Sequence, residues 1–182
     1  MGAKIVAVSD VRGGTFQKDG INVKELQKYF QKNGTVDGYE GNRTTNQKLL
    51  ELDVDLLVPA AVGEVITKEN AANVKADLIV EGANAPVTKE ADEILCKKGA
   101  IIVPDILANA GGVVASYDEW RKGKSGSKTK REETFATIKE TLLEAFEETL
   151  SYSIKKKVVF RKAALALAVS RVVETMEARG WL

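Results

Sequence analysis

Four short segments rich in small residues each follow an apolar run, and they contain the polar side chains best suited to binding a ligand. The segments read SDVRGG, PAAVGE, EGANAP and PDILANAGG. Small side chains let a ligand approach the backbone closely. One such segment is ordinary turn chemistry, whereas four in one chain favour a bound ligand that is flat or extended.

Asp10 is the most informative polar residue of these segments, because it ends a nearly continuous apolar run. In a dinucleotide-binding fold, an acidic residue at the end of a buried strand accepts hydrogen bonds from the ribose hydroxyls of adenosine. Aspartate is also common in ordinary turns, which is the alternative interpretation. Arg12, two residues further on, could pair with a ribose 2′-phosphate. The sequence therefore leaves the choice between NAD and NADP open.

Asn109 and Ser116 lie where the last small-residue segment turns into a predicted helix. A serine hydroxyl one turn into a helix can donate to a carboxylate, and the helix N-terminus adds a favourable field. Each residue also has a purely structural interpretation. Asn109 could cap the helix before Gly111, and Ser116 could be a small residue that packs the helix against a sheet.

Strands and helices alternate over the first two thirds of the chain. Apolar runs predict strands at residues 4–9, 55–59, 78–81 and 100–103. Helices are expected after the capping residues Asn22, Thr45 and Thr88, with another around residues 68–74, while RGGTFQKDG is expected to be a loop. This alternation predicts an α/β fold with a mostly parallel sheet covered by helices on both faces.

The composition of the chain changes after Trp120. Residues 121–131 are basic and rich in Ser and Gly, which predicts a solvated loop. Two long helices are expected at residues 132–155 and 159–179, and their apolar stripes predict core packing. We therefore divide the chain into a partial dinucleotide-binding domain (1–120), a basic loop (121–131) and a C-terminal helical segment (132–182).

Composition excludes several classes of function. The 27 basic and 26 acidic residues give a net charge of +1, which argues against a nucleic-acid partner. No apolar run approaches the length that spans a bilayer, and no secretory signal is expected. The chain has no histidine and a single cysteine, Cys96, so neither a zinc site nor an internal disulfide is expected. These features predict a cytoplasmic protein without a metal.

The phosphate-binding fingerprint of a Rossmann fold, GxGxxG, follows no strand in this sequence. It should precede the ribose acid by about 20 residues, yet only nine residues precede Asp10. The chain is therefore expected to lack the first βα unit. Because that strand is central, its absence would leave its two neighbours unpaired, and we expect the gap to be filled by a partner chain, by rearranged strand pairing or by strand exchange between copies.

The strand ends together resemble the nucleotide-binding domain of glutamate dehydrogenases, in the glutamate/leucine/phenylalanine/valine dehydrogenase family. The resemblance is carried by VAVSDVRGG, LLELDVDLLVPAA, IVEGANAPVTKEADEIL, VPDILANAGGVVASYDEW and the terminal VSRVVETMEARGW. It implies oxidative deamination of L-glutamate to 2-oxoglutarate and ammonium, with hydride transfer to NAD or NADP.

The resemblance also implies roles for individual residues. Asp10 matches the acid near the adenosine ribose, with Arg12 beside it, and Ala60 and Ala61 match residues that line the adenine and nicotinamide-ribose side. Further matches are Asn84 near the nicotinamide ribose, Asn109 near the nicotinamide and substrate, and Val113 and Ser116 at the substrate side chain.

The catalytic lysines and aspartate of this family lie in an N-terminal domain that nothing in the sequence matches. We therefore expect the chain to be inactive alone, and to form a homo-oligomer or to associate with that missing domain. The alternative is a free-standing nucleotide-binding or scaffold module.

Overall fold

The computed structural model describes residues 2–182, which form six short strands and seven α-helices, the last three of them the longest. The strands are β1 (Ala7–Ser9), β2 (Gly14–Phe16), β3 (Asn42–Thr44), β4 (Leu56–Leu57), β5 (Leu78–Val80) and β6 (Ile101–Val103). The helices are α1 (Val23–Asn33), α2 (Asn46–Leu50), α3 (Lys89–Lys97), α4 (Asp105–Ala108), α5 (Gly111–Lys124), α6 (Arg131–Lys156) and α7 (Phe160–Ala178). They form two compact units: residues 2–55 with 72–76, and residues 56–71 with 77–182.

The first unit contains an antiparallel sheet in the order β1-β2-β3. Ala7 pairs with Phe16, and Gly14 pairs with Thr44. The prediction that residues 4–9 form a parallel strand followed by a loop was therefore wrong. The physical reason is Gly14, where a Cβ would lie 2.5 Å from the Val8 carbonyl oxygen, so only glycine lets the chain fold back this closely.

Helix α1 follows the sheet and has the predicted ends. The Asn22 side chain accepts a hydrogen bond from the Glu25 amide, and Gly34 ends the helix with a φ of +68°. Leu26 on its inner face packs with Ile21 and Val36 in a small apolar cluster. The local capping signals were sufficient to place this helix.

The second unit contains a parallel sheet in the order β4-β5-β6, which confirms the α/β fold class. Ile79 on β5 and Leu95 on α3 are both fully buried. Thr88 caps α3 as predicted, by accepting from the Ala91 amide. The helix expected around residues 68–74 is only a 3₁₀ turn, Ala71–Asn73, and just before it the Asn70 side chain accepts from the Thr67 amide and donates to the Val65 carbonyl oxygen.

Both sheets are open at both edges among residues 2–182, and two of the four edge strands matter for the missing unit. Within that range β1 pairs only with β2, and β4 pairs only with β5. These are the two strands that would flank the first strand of a complete Rossmann fold. No strand of residues 2–182 pairs with either of these open edges, so internal rearrangement does not fill the gap, and filling by a partner chain or by strand exchange stays a prediction.

The three C-terminal helices differ from prediction in two respects. Helix α5 continues to Lys124, four residues into the predicted loop, because Arg121 and Lys122 both pair with the buried Asp118 one turn earlier.

The apolar stripes of α6 and α7 are only partly buried. Phe146 packs on Phe160 with ring centroids 5.3 Å apart. The expectation of core packing was wrong for a set of exposed residues that includes Phe135, Leu143, Leu165, Val169 and Val172.

Candidate nucleotide and substrate site

Asp10 organises the loop that follows β1. Its carboxylate accepts hydrogen bonds from the amides of Arg12 (2.8 Å) and Val36 (2.7 Å), one on each oxygen. Burial opposes ionisation of this group, but hydrogen bonds from the Thr35 hydroxyl and the amides of Val36, Arg12 and Gly13 outweigh it and lower the pKa of Asp10. The ionised side chain is only partly buried, so ribose hydroxyls can still reach it.

A cavity of about 440 Å³ lies beside this loop in the first unit. Arg12, Arg43 and Lys48 line it, together with one acid, Asp37. Arg43 pairs with Asp37 at 3.2 Å, whereas Arg12 is exposed. The lining therefore carries more positive than negative charge and could hold an anion.

Asn84 and Asn109 meet in the second unit, although 25 residues separate them in the sequence. The Asn109 amide nitrogen donates to the Asn84 side-chain oxygen at 2.7 Å. Asn84 follows β5, and Asn109 ends the short helix α4 that follows β6. The capping alternative for Asn109 was wrong, because Ala110 is the residue that precedes α5. Neighbouring parallel strands end at the same sheet edge, which is why their loops converge.

The loops after β4 and β5 pack backbone against backbone. The amides of Gly82 and Ala83 both donate to the Pro59 carbonyl oxygen, at 3.0 and 2.9 Å. A Cβ at position 82 would lie 2.9 Å from the Ala60 methyl group. Ala60 and Ala61 are exposed beside this contact. The small residues singled out in the sequence thus allow the two loops to pack together. They also leave the outer face of the loops open.

Val113 and Ser116 lie in the first two turns of α5, and both side chains are exposed. Val113 is 73% exposed. Exposure of Ser116 counts against its interpretation as a residue that packs the helix against the sheet. The structure therefore leaves both side chains accessible to a ligand, and their predicted contact with a substrate stays a prediction.

A buried charged cluster lies behind the two asparagine loops, and sequence reasoning missed it. Glu81, which is 0% exposed, accepts from Arg161 at 2.6 and 3.0 Å. Arg161 also donates to Asp92 at 2.8 Å and lies 3.7 Å from Asp105. Burial alone would lower the pKa of Arg161, but its hydrogen bonds to Glu81 and Asp92 outweigh that effect and raise it. The one signal available in the sequence was a charged residue, Arg161, in the first turn of a mostly apolar helix.

Residues 2–182 hold no group of three acidic, cysteine or histidine residues able to bind a metal ion. Cys96 is a poor nucleophile, because burial and the neighbouring Asp92 carboxylate raise the pKa of its thiol. None of the helices described is both long and apolar enough to cross a bilayer.

The parallel sheet, its covering helices and the small-residue loops at its carboxyl edge define an α/β protein of the Rossmann-like type. Comparison with known proteins then assigns the family. The model of the Glutamate/Leucine/Phenylalanine/Valine dehydrogenase family matches residues 1–180, and the chain belongs to that family.

Individual relatives agree with this assignment. The chain is 49% identical to an NADP-specific glutamate dehydrogenase of Saccharolobus shibatae and 42% identical to an NAD-specific glutamate dehydrogenase of Halobacterium salinarum. These alignments cover 100% and 98% of this chain but only 44% and 41% of those proteins. Hetero-hexameric glutamate dehydrogenase from Thermus thermophilus superposes with a TM-score of 0.88 at 28% identity, over 98% of this chain and 42% of that one. The chain thus spans less than half the length of these relatives.

Proposed function

We propose that this chain supplies most of the NAD(P)-binding domain and the C-terminal helices of a glutamate dehydrogenase. The reaction would be oxidation of L-glutamate with NAD(P)⁺ and water to 2-oxoglutarate, ammonium and NAD(P)H. The observation that carries the proposal is the 2.7 Å contact between Asn84 and Asn109, which joins two loops at the carboxyl edge of the parallel sheet. Ligands of open α/β sheets bind at that edge.

In this proposal the protein positions the reactants, while the nicotinamide supplies the hydride chemistry. Asp10 accepts from the adenosine ribose, and its lowered pKa keeps it ionised at neutral pH. Ala60 and Ala61 leave room for the flat cofactor beside them. Asn84 and Asn109 orient the nicotinamide end.

The substrate side of the site would be formed by α5. Ser116 donates to the distal carboxylate of glutamate, and Val113 contacts the substrate side chain. Both are exposed on the first turns of the helix, as that role requires.

We propose that these 182 residues do not catalyse the reaction by themselves and that they act in a homo-oligomer or together with a further domain. The support is that the chain matches 44% of its Saccharolobus shibatae relative. A free-standing nucleotide-binding module is the second candidate, and the cavity lined by Arg12, Arg43 and Lys48 would suit it equally. Both candidates predict nucleotide binding, but only the first predicts glutamate oxidation once a catalytic domain is supplied.

The binding site is testable on the chain as it is, by titrating ¹⁵N-labelled protein with 5′-AMP and with nicotinamide mononucleotide. We expect AMP to shift the amides of Asp10 and Arg12, and the mononucleotide to shift the side-chain amides of Asn84 and Asn109. Asn109→Ala should abolish the second response, while Asn33→Ala, at the end of α1, should leave it intact. Shifts scattered outside these residues would refute the assignment.

The cationic cavity bears on the choice of cofactor. We propose that Arg12, Arg43 and Lys48 receive the 2′-phosphate of NADP, because a phosphate dianion gains most from converging arginine and lysine side chains. Adenosine 2′,5′-bisphosphate should then bind more tightly than 5′-AMP, and Lys48→Gln should reduce the difference, whereas Lys24→Gln on α1 should not. Equal affinity for both nucleotides would favour NAD instead.

A further inference from the structure

The charged cluster around Arg161 connects the start of α7 to the two asparagine loops. We propose that Arg161 is a positioning residue that sets the geometry of the Asn84–Asn109 pair, so that the terminal helix controls the nicotinamide end of the site. The inference rests on the proposed function for the meaning of that pair, but the coupling itself follows from contacts within the second unit.

The first step of the coupling runs from Arg161 to Glu81. The guanidinium holds both carboxylate oxygens of Glu81, at 2.6 and 3.0 Å. Glu81 follows directly after β5 and precedes the Gly82-Ala83-Asn84 loop. A bidentate pair of this kind fixes the orientation of the carboxylate as well as its position.

The second step runs through Asp105. Glu81 also accepts from the Asp105 amide at 2.8 Å, which ties the start of α4 to the end of β5. The Asp105 side chain accepts from the Ala85 amide at 2.8 Å, directly after Asn84, and its carbonyl oxygen accepts from the Asn109 amide at 3.0 Å. Asp105 therefore anchors Asn109 directly and Asn84 through the next residue, and the position of Asp105 itself depends on Glu81.

Arginine is required because three carboxylates converge on it. Glu81, Asp92 and Asp105 lie within 4 Å of the one guanidinium and are all poorly exposed. Without that cation they would repel each other, and Glu81 would be an unpaired buried charge. Lysine restores the charge but not the fork of donors that holds Glu81 and Asp92 together.

The test compares Arg161→Met and Arg161→Lys with the control Arg171→Met, which removes an exposed pair with Glu148 between α7 and α6. The first readout is the side-chain amide signals of Asn84 and Asn109 in ¹⁵N spectra. The second is hydrogen exchange at the Ala85 amide. The third is the affinity for nicotinamide mononucleotide.

We expect Arg161→Met to shift both asparagine signals and to speed exchange at Ala85 at least about tenfold, while amides in the middle of α6 keep their protection. Arg161→Lys should restore the signals only in part, and Arg171→Met should change neither. If Arg161→Met fails to fold, Asp105→Asn, which weakens the second step, should produce the same local signature.

Two outcomes separate this inference from the proposed function. Unchanged asparagine signals in a folded Arg161→Met protein, or a uniform loss of protection that includes α6, would overturn the positioning role. If the unmodified chain does not bind the mononucleotide while the asparagine signals still respond to Arg161, the proposed function fails and the coupling stands.

Discussion

Gly82 offers the clearest quantitative test of how the site loops are packed. Its amide donates to the Pro59 carbonyl oxygen at 3.0 Å, so the loop after β5 rests directly on the loop after β4. Its backbone is not in the left-handed region, and alanine there is limited by space alone. The Gly82→Ala methyl group would lie 2.9 Å from the Ala60 methyl group and 3.3 Å from its Cα.

The magnitude follows from these distances. Ordinary Cβ contacts begin at 3.4 Å, so the two loops would have to separate by about 0.5 Å. Overpacking of this kind costs about 1–3 kcal/mol. Replacing glycine also restricts the unfolded chain, and this stabilises the folded state by about 0.4–1 kcal/mol. We therefore expect Gly82→Ala to lower the free energy of unfolding by about 1–2 kcal/mol.

The assay is urea unfolding followed by circular dichroism, with Gly112→Ala as the matched control. Gly112 lies in α5, and a Cβ there would have no atom within 4 Å. The control should therefore stabilise the chain by about 0.5–1 kcal/mol. The two substitutions add the same methyl group and should change stability in opposite directions.

A compensating variant separates the steric cause from any other. Ala60→Gly removes the methyl group that Gly82→Ala meets and should recover most of the lost stability in the double variant. Gly82→Ala as stable as the control, or a double variant that behaves additively, would refute the packing argument.

The remaining predictions concern ionisable groups. The lowered pKa of Asp10 means that its contribution to stability is present above its unfolded pKa and is lost as pH falls through the folded value. In the Asp10→Asn variant, the free energy of unfolding should therefore fall less steeply as the pH is lowered. Urea titrations between about pH 2 and 6 measure this. Cys96 should react more slowly with iodoacetamide at about pH 8 in the folded chain than in urea, by mass spectrometry, since burial and Asp92 raise its pKa. Hydrogen bonds from Lys122 first, and then from Thr134 and Arg121, lower the pKa of Asp118, so Asp118→Asn should speed hydrogen exchange in the last turn of α5.

Each of these expectations has a contrary result. An acid limb that is unchanged in Asp10→Asn would show that the loop hydrogen bonds do not depend on the charge. Equal alkylation rates in folded and unfolded chains would show that the thiol is not shielded. Unchanged exchange in residues 119–124 would show that Asp118 does not hold the end of α5.

The features that could be predicted from the sequence are those that local chemistry determines. Asn22, Thr45 and Thr88 each accept the capping bond expected of them. The apolar runs before residues 59, 81 and 104 form the parallel sheet, because their composition suits strands buried on both faces.

The hairpin of β1 and β2 could not be predicted in this way. Its pairing depends on Gly14 coming within contact of Val8, and residues 14–16 are too few and too mixed in polarity to show strand alternation. The partly exposed stripes of α6 and α7 were misjudged because apolar spacing does not say whether a partner is present.

In the candidate site, too, some residues could be predicted from the sequence and others could not. Asn84 was identified through the family resemblance and Asn109 also through its place between a strand and a helix, and the two meet because parallel strands end at the same edge. Glu81 and Arg161 were missed because 80 residues separate them, and nothing local to either residue reveals the other. Long-range charge pairing requires the folded structure.

The measurement that tests the central claim most directly joins this chain to the part of a relative that it does not cover. A chimera would carry these 182 residues in place of the matching 44% of the Saccharolobus shibatae NADP-specific enzyme. We predict that the chimera reduces NADP⁺ in a glutamate-dependent manner, and that Ser116→Ala in it raises KM for glutamate far more than KM for NADP⁺. A chimera that folds and assembles but shows no glutamate-dependent reduction of NAD⁺ or NADP⁺ would contradict the account.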